Sequence, residues 1–204
     1  MTRRPGLPLN RTITVLTSGL RRSSATRVLA DNLARATCRE LNRLGATVDL
    51  DLIEVREHGH ALVDSLTNNT PSAELDRALE SVARADGLIA VTPTFTASYN
   101  GMFKMFIEVL DDTALVGKPV LIGATGGTGR HQLVLDHQMR PLFSNLYAVV
   151  LPTGIFAGPD DWAAEAVVGT ALGHRIDRAA AELAWEIDRR SECWALRARG
   201  DRLQ

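Results

Sequence analysis

The chain has 204 residues, of which 45% are hydrophobic and 23% are charged. This composition is typical of one globular domain that buries enough apolar surface to fold without a disulfide or a metal. With 23 basic and 24 acidic residues, the net charge is -1. That balance argues against the strongly basic surface of a nucleic-acid-binding protein, so we expect no nucleic-acid partner.

The cysteines and the start of the chain bear on its location. Cys38 and Cys193 are far apart and belong to no Cys/His cluster, so we expect reduced thiols in a cytoplasmic protein. Residues 1–11 include three arginines with no apolar run close behind, and we expect a flexible basic tail there and no signal peptide. The chain has no uninterrupted apolar stretch of about 20 residues, so we expect no membrane contact.

Apolar runs of strand length alternate with segments of helical periodicity along the chain. The predicted strands are 13–17, 47–55, 87–92, 119–124 and 147–151. The predicted helices are 25–44, a short one within 57–71, 72–85, 101–110, 131–146 and 162–199, the last with a break at Gly169 or Gly173. We expect Gly45 to end the first helix and Ser72 to cap the third. Pro93 should stop the third strand, and Pro141 should kink or interrupt its helix.

Five strands that alternate with helices indicate an α/β fold, a doubly wound five-stranded parallel sheet with helices on both faces. No repeat or linker divides the sequence, so we expect one domain over 1–204, with a tail at 1–11 and a C-terminal helix at 174–204. Ligands of such sheets bind beyond the carboxyl ends of the strands. The loops after the first, third and fourth strands therefore carry the functional prediction.

The first loop, residues 18–26, has the sequence SGLRRSSAT and leads into a helix. Its hydroxyl groups, backbone N–H groups and helix N-terminus suit a phosphate monoester. It matches neither the P-loop nor the dinucleotide glycine motif. The serines could instead serve only as helix caps. Arg21 and Arg22 favour an anion site, although either could point into solvent.

The second loop, residues 92–101, combines an aromatic ring, several hydroxyl groups and a glycine. Such a loop could line a flat ring and a polyol, or it could be a polar turn with Phe95 packed in the core.

The third loop, residues 125–129, has three glycines among five residues. Glycine lets backbone N–H groups approach a ligand closely, which favours a binding role over a merely flexible loop.

We predict neither a metal site nor a nucleophile. His58 and His60 have no clear third ligand, and we expect them on the surface. The GxSxG elbow of serine hydrolases is missing. Asp111 and Asp112 are adjacent at a predicted helix end, where capping and solvation are the expected roles.

Between residues 90 and 141, five short motifs follow one another. They are Thr92, Pro93 and Phe95; Gly101 and Lys104; Gly117 and Lys118; residues 124–128; and His131, Asp136, Arg140 and Pro141. In this order they resemble the NAD(P)H-dependent FMN reductases, a flavodoxin-like family. The resemblance is closest to the flavin reductases of two-component monooxygenase systems and covers roughly residues 13–162.

The resemblance implies FMN and NAD(P)H as cofactors. The FMN phosphate would lie on the first loop, and its ring and ribityl chain would contact the other two loops. The implied cofactor-binding residues are Ser18, Arg21, Ser23, Ser24, Thr26, Pro93, Thr94, Phe95, Thr96, Thr125, Gly126, Gly127 and Thr128. Arg21, Arg22 or Arg130 would bind the phosphates of NAD(P)H.

The implied activity is hydride transfer from the nicotinamide to the flavin, with reduced FMN supplied to a partner monooxygenase. Such a transfer needs no acid or base from the protein, so we name no catalytic side chain. Backbone N–H groups of residues 126–128 would stabilise the reduced ring. Two alternatives remain open: a quinone, azo-dye or chromate reductase that retains FMN, and a non-enzymatic flavodoxin-type electron carrier.

We also expect a homodimer or a homotetramer. Apolar side chains cover more of the helix at 101–110 than one core-facing stripe requires. They are Met102, Phe103, Met105, Phe106 and Leu110.

Overall fold

The structure is a computed structural model that describes residues 9–162 and 170–200, with side chains up to residue 190. The strands are β1 (Leu9–Thr17), β2 (Ala46–Glu54), β3 (Gly87–Phe95), β4 (Ser98–Tyr99), β5 (Pro119–Thr125), β6 (Val149–Val150) and β7 (Ile155–Ala157). The helices are α1 (Ala25–Arg43), α2 (Gly59–Asn68), α3 (Ala73–Arg84), α4 (Gly101–Glu108), α5 (Arg140–Asn145) and α6 (Ala171–Gly200).

The strands form one sheet in which β2, β1, β3 and β5 lie side by side in that order. β6 and β7 both pair with β5, one after the other, and together fill the fifth position. These pairings are parallel, whereas β4 forms an antiparallel hairpin with β3. If the hairpin strand β4 is left out and β6 and β7 are counted as one strand, the parallel strands have the order 2-1-3-4-5 along the chain. This is the order of flavodoxin-like doubly wound sheets, and the predicted fold class is confirmed.

Helices cover both faces of the sheet, and β3 is buried throughout except at its last residue. Ile89 and Val91 of β3 pack in one core with α1 and α6. Leu88 and Ala90 pack in a second core with α2, α3, α4 and α5. This two-sided burial explains why the strands appear in the sequence as continuous apolar runs.

β1 begins at Leu9, inside the segment that was expected to be a tail. Residues 9–11 pair in parallel with residues 46–48 of β2, so the tail prediction is wrong for them. The polar side chains of Asn10 and Arg11 conceal this part of the strand in the sequence. Residues 1–8 lie outside the described part of the chain.

β3 continues through Pro93 to Phe95, so the prediction that Pro93 stops the strand is wrong. The carbonyl of Val91 accepts a hydrogen bond from Ser18 N, 3.0 Å away, which shows that Val91 directs its backbone groups towards β1. Pro93 lies two residues further and faces the same side, where β1 has already ended. Its missing N–H therefore costs the sheet no hydrogen bond.

The fifth strand is split where one continuous strand at 147–151 was predicted. β6 covers only Val149 and Val150, and the sequence analysis missed β7 altogether. Arg140 holds the break between them, because its Nη1 donates to Leu151 O at 2.8 Å and its Nη2 to Pro152 O at 3.2 Å.

The predicted helix at 131–146 consists of three pieces. A 3-10 turn covers Gly129–Leu133, a π-helical turn covers Leu135–Met139, and α5 follows. Pro141 lies in the first turn of α5, where its missing N–H is tolerated, so the expected interruption is present.

The other helical boundaries largely match the sequence analysis. Ser72 caps α3 by accepting from Leu75 N at 3.1 Å, and Gly45 adopts a positive φ of 82° directly after the C-cap of α1. The short helix within 57–71 is α2. Gly173 lies inside α6 and does not break it, whereas Gly169 lies outside the described residues.

Lys118 ties the start of β5 to the end of α3. Its Nζ donates to the carbonyl oxygens of Val82, Ala83 and Ala85 at 2.5, 2.9 and 2.8 Å. These carbonyls lie at the C-terminal end of a helix, where backbone acceptors otherwise lack partners. Burial lowers the pKa of Lys118 to about 8, although the nearby Asp86 carboxylate acts in the opposite direction.

Candidate functional site

The first and third predicted loops meet at the carboxyl edge of the sheet. The hydroxyl groups of Thr26 and Thr125 are 2.8 Å apart and both residues are buried, so the start of α1 is tied to the end of β5. Pro93 lies opposite Thr125 in the register of β3 and β5. The sheet thus brings residues from all three loops to one edge, although they are far apart in the sequence.

Asn100 joins the first loop to the second. Its Nδ2 donates to Ser18 O at 2.5 Å, and its Oδ1 accepts from Phe103 N at 2.7 Å, which caps α4. Asn100 is 4% exposed and its backbone N–H donates to the Thr92 hydroxyl at 3.3 Å. The sequence analysis placed Asn100 in the loop but not among the site residues. An asparagine directly before a helix was the available signal, because asparagine is a favoured N-cap.

The predicted cofactor-binding residues differ in how accessible they are. Five are buried: Ser18, Thr26, Pro93, Thr94 and Thr125. Five are exposed: Arg21, Ser23, Phe95, Thr96 and Gly127. Three are half-buried: Ser24, Gly126 and Thr128. The buried members shape the floor of the site, and the exposed members are the ones that a ligand can reach directly.

In the first loop, the hydroxyl of Ser24 serves as a helix cap. It accepts from Arg27 N at 3.2 Å, so the plainer of the two interpretations holds for this side chain. Gly19 packs so closely on Ser24 that a Cβ at position 19 would collide with Oγ of Ser24. The loop is therefore held tightly against the first turn of α1, and the amino end of this 19-residue helix lies at the site.

The second loop is a tight hairpin. Phe95 pairs with Ser98, and the two residues between them, Thr96 and Ala97, have φ angles of 48° and 63°. Two consecutive positive φ values define a turn that normally contains glycine or asparagine. Left-handed backbone costs a residue with a Cβ on the order of 1–2 kcal/mol, so this turn is strained. Phe95 is 48% exposed, which rules out the alternative that it packs in the core.

In the third loop, the glycines have different roles. A Cβ on Gly126 would lie 2.9 Å from Phe156 and 3.1 Å from His131, so close packing requires glycine there. Gly127 and Gly129 have no atom within 4 Å of such a Cβ, and their backbone is open. Gly126 N–H donates to Ala157 O at 3.2 Å, so the chain itself already supplies this N–H with an acceptor.

Several buried polar atoms at this edge lack a hydrogen-bond partner within the part of the chain that the structure describes. They are Thr17 Oγ1, Thr94 Oγ1 and His131 Nδ1. Buried polar groups normally form hydrogen bonds, so unpaired atoms in or beside each of the three loops fit a ligand with several donors and acceptors. The residues present thus suit a polar nucleotide such as FMN.

A cavity of about 460 Å³ adjoins the first loop. Arg22 lines it together with Arg27 and Arg56. Arg27 donates to Asp31 at 2.9 Å and also contacts Glu54, which Arg56 contacts as well. Two of the three cations are therefore neutralised by the chain itself, which leaves the exposed Arg22 as the arginine in this cavity with the best access to an anion.

Among the described side chains, no three His, Cys, Asp or Glu residues lie close enough to hold a metal ion. Burial raises the pKa of the free thiol Cys38, and the side chain of Cys193 lies outside the described set. None of the described helices has the length and apolar character needed to cross a bilayer.

Three connected loops at the carboxyl edge of a 2-1-3-4-5 sheet, with a helix N-terminus and orphaned polar atoms, define a flavodoxin-like nucleotide-binding protein. More particularly, the chain belongs to the NADPH-dependent FMN reductase family, whose model matches residues 11–163. The resemblance found in the sequence is thereby confirmed. The protein is an oxidoreductase that uses FMN and a reduced nicotinamide nucleotide.

Similar proteins agree with this assignment. The chain is 37% identical to an FMN reductase (NADPH) of Pseudomonas aeruginosa, over 88% of this chain and 94% of the relative. It is 38% identical to the NADH-dependent FMN reductase SfnE of Pseudomonas putida, over 87% and 91% of the two chains. The X-ray structure of an oxidoreductase from Corynebacterium diphtheriae superimposes with a TM-score of 0.83 at 39% identity. The match covers 88% of this chain and 97% of that one.

Proposed function

We propose that FMN binds across the three loops and that the enzyme supplies reduced FMN to a flavin-dependent monooxygenase in the cytoplasm. The observation that carries the proposal is the pair of side-chain links between the loops, Thr26 to Thr125 and Asn100 to Ser18. They hold the loops in one arrangement before any ligand arrives. Preorganisation of this kind reduces the entropy lost on binding.

In this proposal, each loop has a separate task. The amino end of α1 and the exposed Arg21 attract the phosphate of FMN. The accessible ring of Phe95 offers an apolar surface for the flavin, and the open backbone at Gly127 admits its polar edge. Thr94 supplies a buried hydroxyl that has no other partner among the described residues.

Bound FMN supplies the hydride-accepting ring, and NAD(P)H supplies the hydride. The residues of the chain then only have to bind, orient and stabilise the reactants, so no side chain is needed as an acid or base. The N–H groups of Gly127 and Thr128 remain candidates for stabilising negative charge on the reduced ring, because Gly126 N–H is engaged with Ala157. Arg21, Arg22 and Arg130 are exposed and remain the candidates for binding the phosphates of NAD(P)H.

The monooxygenase role rests on the resemblance of residues 90–141 to reductases of two-component systems. Oxidation of NADH and NADPH by the purified protein, with increasing free FMN, tests it. A rate that rises and saturates with FMN would support release of reduced flavin as product. A rate that is independent of added FMN but requires a quinone or a dye would favour a reductase with permanently bound FMN. No oxidation would favour an electron carrier.

The homodimer or homotetramer remains part of the proposal, but its original support has weakened. Phe103, Phe106 and Leu110 are buried in the core of the chain itself, and Met102 and Met105 pack against that core. The apolar surface of α4 is therefore explained without a second copy. Light scattering on a size-exclusion column would decide the question, and a species with the mass of one 22.2 kDa chain would contradict oligomerisation.

A further inference from the structure

A cavity lies at the amino ends of β1, β3 and β5, on the edge of the sheet opposite the flavin loops. Its volume is about 640 Å³, which is within the range of small-molecule sites. Arg11, Asp86, Lys118 and Arg190 supply its charged wall. Arg11 is six residues from the end of β1, so roughly 20 Å of strand separates this cavity from the carboxyl edge.

Arg11 is the unusual member of this wall. It is only 7% exposed, and its Nε and Nη2 are buried without an acceptor in the described part of the chain. These two N–H groups lie on the same edge of the guanidinium plane, where they can donate in parallel to both oxygens of one carboxylate. A buried cation without a hydrogen-bonded partner is costly, so this edge is a strong candidate for binding an anion.

The other charged groups of the wall are already engaged. Lys118 donates to three carbonyls at the end of α3. Arg190 donates from Nε to Glu186 at 2.9 Å and contacts Gly117 O through Nη1. Asp86 Oδ2 accepts from Thr12 N at 2.9 Å. Asp86 is therefore committed to the backbone of β1.

The charges and the remaining lining indicate what kind of anion fits. Because Arg190 is paired with Glu186, two cations, Arg11 and Lys118, face the one carboxylate of Asp86, which leaves the wall with a net positive charge. A single unpaired donor edge beside Asp86 suits one negative charge better than two. Leu9 and Val116 are 44% and 57% exposed and form apolar walls beside this edge, so an apolar body would be partly desolvated there. The sequence directly before Leu9, residues 1–8, contains no acidic residue that could serve Arg11 instead.

We propose that this cavity binds a small organic carboxylate, with its two oxygens on Nε and Nη2 of Arg11 and its apolar body against Leu9 and Val116. This site is separate from the flavin site and does not depend on the proposed function. It assigns Arg11 a binding role that the reductase chemistry does not use.

Benzoate is a suitable probe, and calorimetry at constant ionic strength is the measurement. Benzyl alcohol has the same apolar body without the charge, and inorganic phosphate has the charge without the body. We expect benzoate to bind and to raise the Tm of the wild-type protein, and both comparison compounds to bind at least about tenfold more weakly, a difference of ~1.4 kcal/mol.

Arg11→Met and Arg11→Lys test the residue directly. Arg77→Met is the matched control, because Arg77 is an exposed arginine of α3 that pairs only with Glu74 and a backbone carbonyl among the described residues. We expect Arg11→Met to abolish benzoate binding and Arg77→Met to leave it unchanged. Arg11→Lys retains the charge without the fork and should weaken binding, which keeps the test decisive if the Met variant fails to fold.

Unchanged FMN-dependent NAD(P)H oxidation in the Arg11 variants would show that the flavin site is intact. The proposal is overturned if wild-type protein does not bind benzoate, if the Arg11 variants bind it as well as wild type, or if saturating FMN displaces it.

Discussion

The hydroxyl groups of Thr26 and Thr125 form a buried hydrogen bond of 2.8 Å between residues that are 99 positions apart in the sequence. One belongs to the first turn of α1 and the other ends β5. Because both side chains are buried, neither hydroxyl can exchange this partner for water. The link therefore fixes the distance between the phosphate-binding and ring-binding loops of the proposed FMN site.

Replacing both threonines by valine tests this coupling in a double-mutant cycle. Each single variant leaves one buried hydroxyl unpaired, which should cost about 1–3 kcal/mol of the free energy of unfolding. The double variant removes both polar groups, so its loss should be smaller than the sum of the single losses. Urea unfolding of the four proteins measures the coupling, and additive losses would contradict it.

Asn100→Ala removes the hydrogen bond to Ser18 O and the N-cap of α4 together. We expect a loss of about 1–2 kcal/mol in the free energy of unfolding and a raised KM for FMN, because the first and second loops separate. Asn32→Ala is the control, since Asn32 is a partly exposed α1 residue whose side chain donates to Val28 O at 2.8 Å and accepts from Arg35 Nη2 at 3.1 Å, both within α1. A KM for FMN that does not change in Asn100→Ala would show that the link does not position the loops.

Ala97→Gly should stabilise the protein by about 0.5–1 kcal/mol, because the φ of 63° at this position is left-handed and glycine adopts it without strain. Ala73→Gly, at the exposed first residue of α3, should instead destabilise the protein, because the glycine there only adds conformational entropy to the unfolded chain. Thermal unfolding compares the two. A lower Tm for Ala97→Gly would mean that the turn carries no strain.

Lys118 makes stability depend on pH. Its pKa is lowered to about 8 in the folded protein, mainly by burial, so between pH 8 and the unfolded value near 10.5 the unfolded chain binds more protons than the folded one. The contribution of Lys118 to the free energy of unfolding should therefore rise as pH increases through this window and stay constant, at its lowest value, below pH 8. Urea unfolding of wild type and Lys118→Met at pH 7 and 10 measures it. Equal pH slopes for the two proteins would contradict the expectation.

The sheet and its order of elements could be predicted because strands buried on both faces, such as β3, appear as uninterrupted apolar runs. The local departures from this regular pattern could not be predicted. The continuation of β3 through Pro93 depends on where the neighbouring strand ends. The split of the fifth strand depends on hydrogen bonds from Arg140, a residue that lies outside the strand segment itself. The strained turn at Thr96 and Ala97 lacks the glycine that would have identified a hairpin.

The candidate site was predictable as three loops but not as a connected structure. Strand order places the loops at one edge, and composition identifies which loops are unusual. The bonds from Thr26 to Thr125 and from Asn100 to Ser18 join residues more than 80 positions apart, and no local pattern encodes such pairs. The sequence left the capping role of Ser24 as one of two alternatives, and the engagement of Gly126 N–H with Ala157 O depends on the pairing of β7 with β5.

The measurement that tests the central claim most directly is FMN binding, followed by flavin fluorescence, in wild type, Gly127→Val and Gly129→Val. Both glycines have open space around a Cβ, so both variants should fold normally. If FMN approaches the backbone at Gly127, the valine there should weaken binding at least about tenfold, or ~1.4 kcal/mol, while Gly129→Val should retain wild-type affinity. Wild-type affinity for FMN in Gly127→Val would contradict the assignment of the third loop to the flavin site.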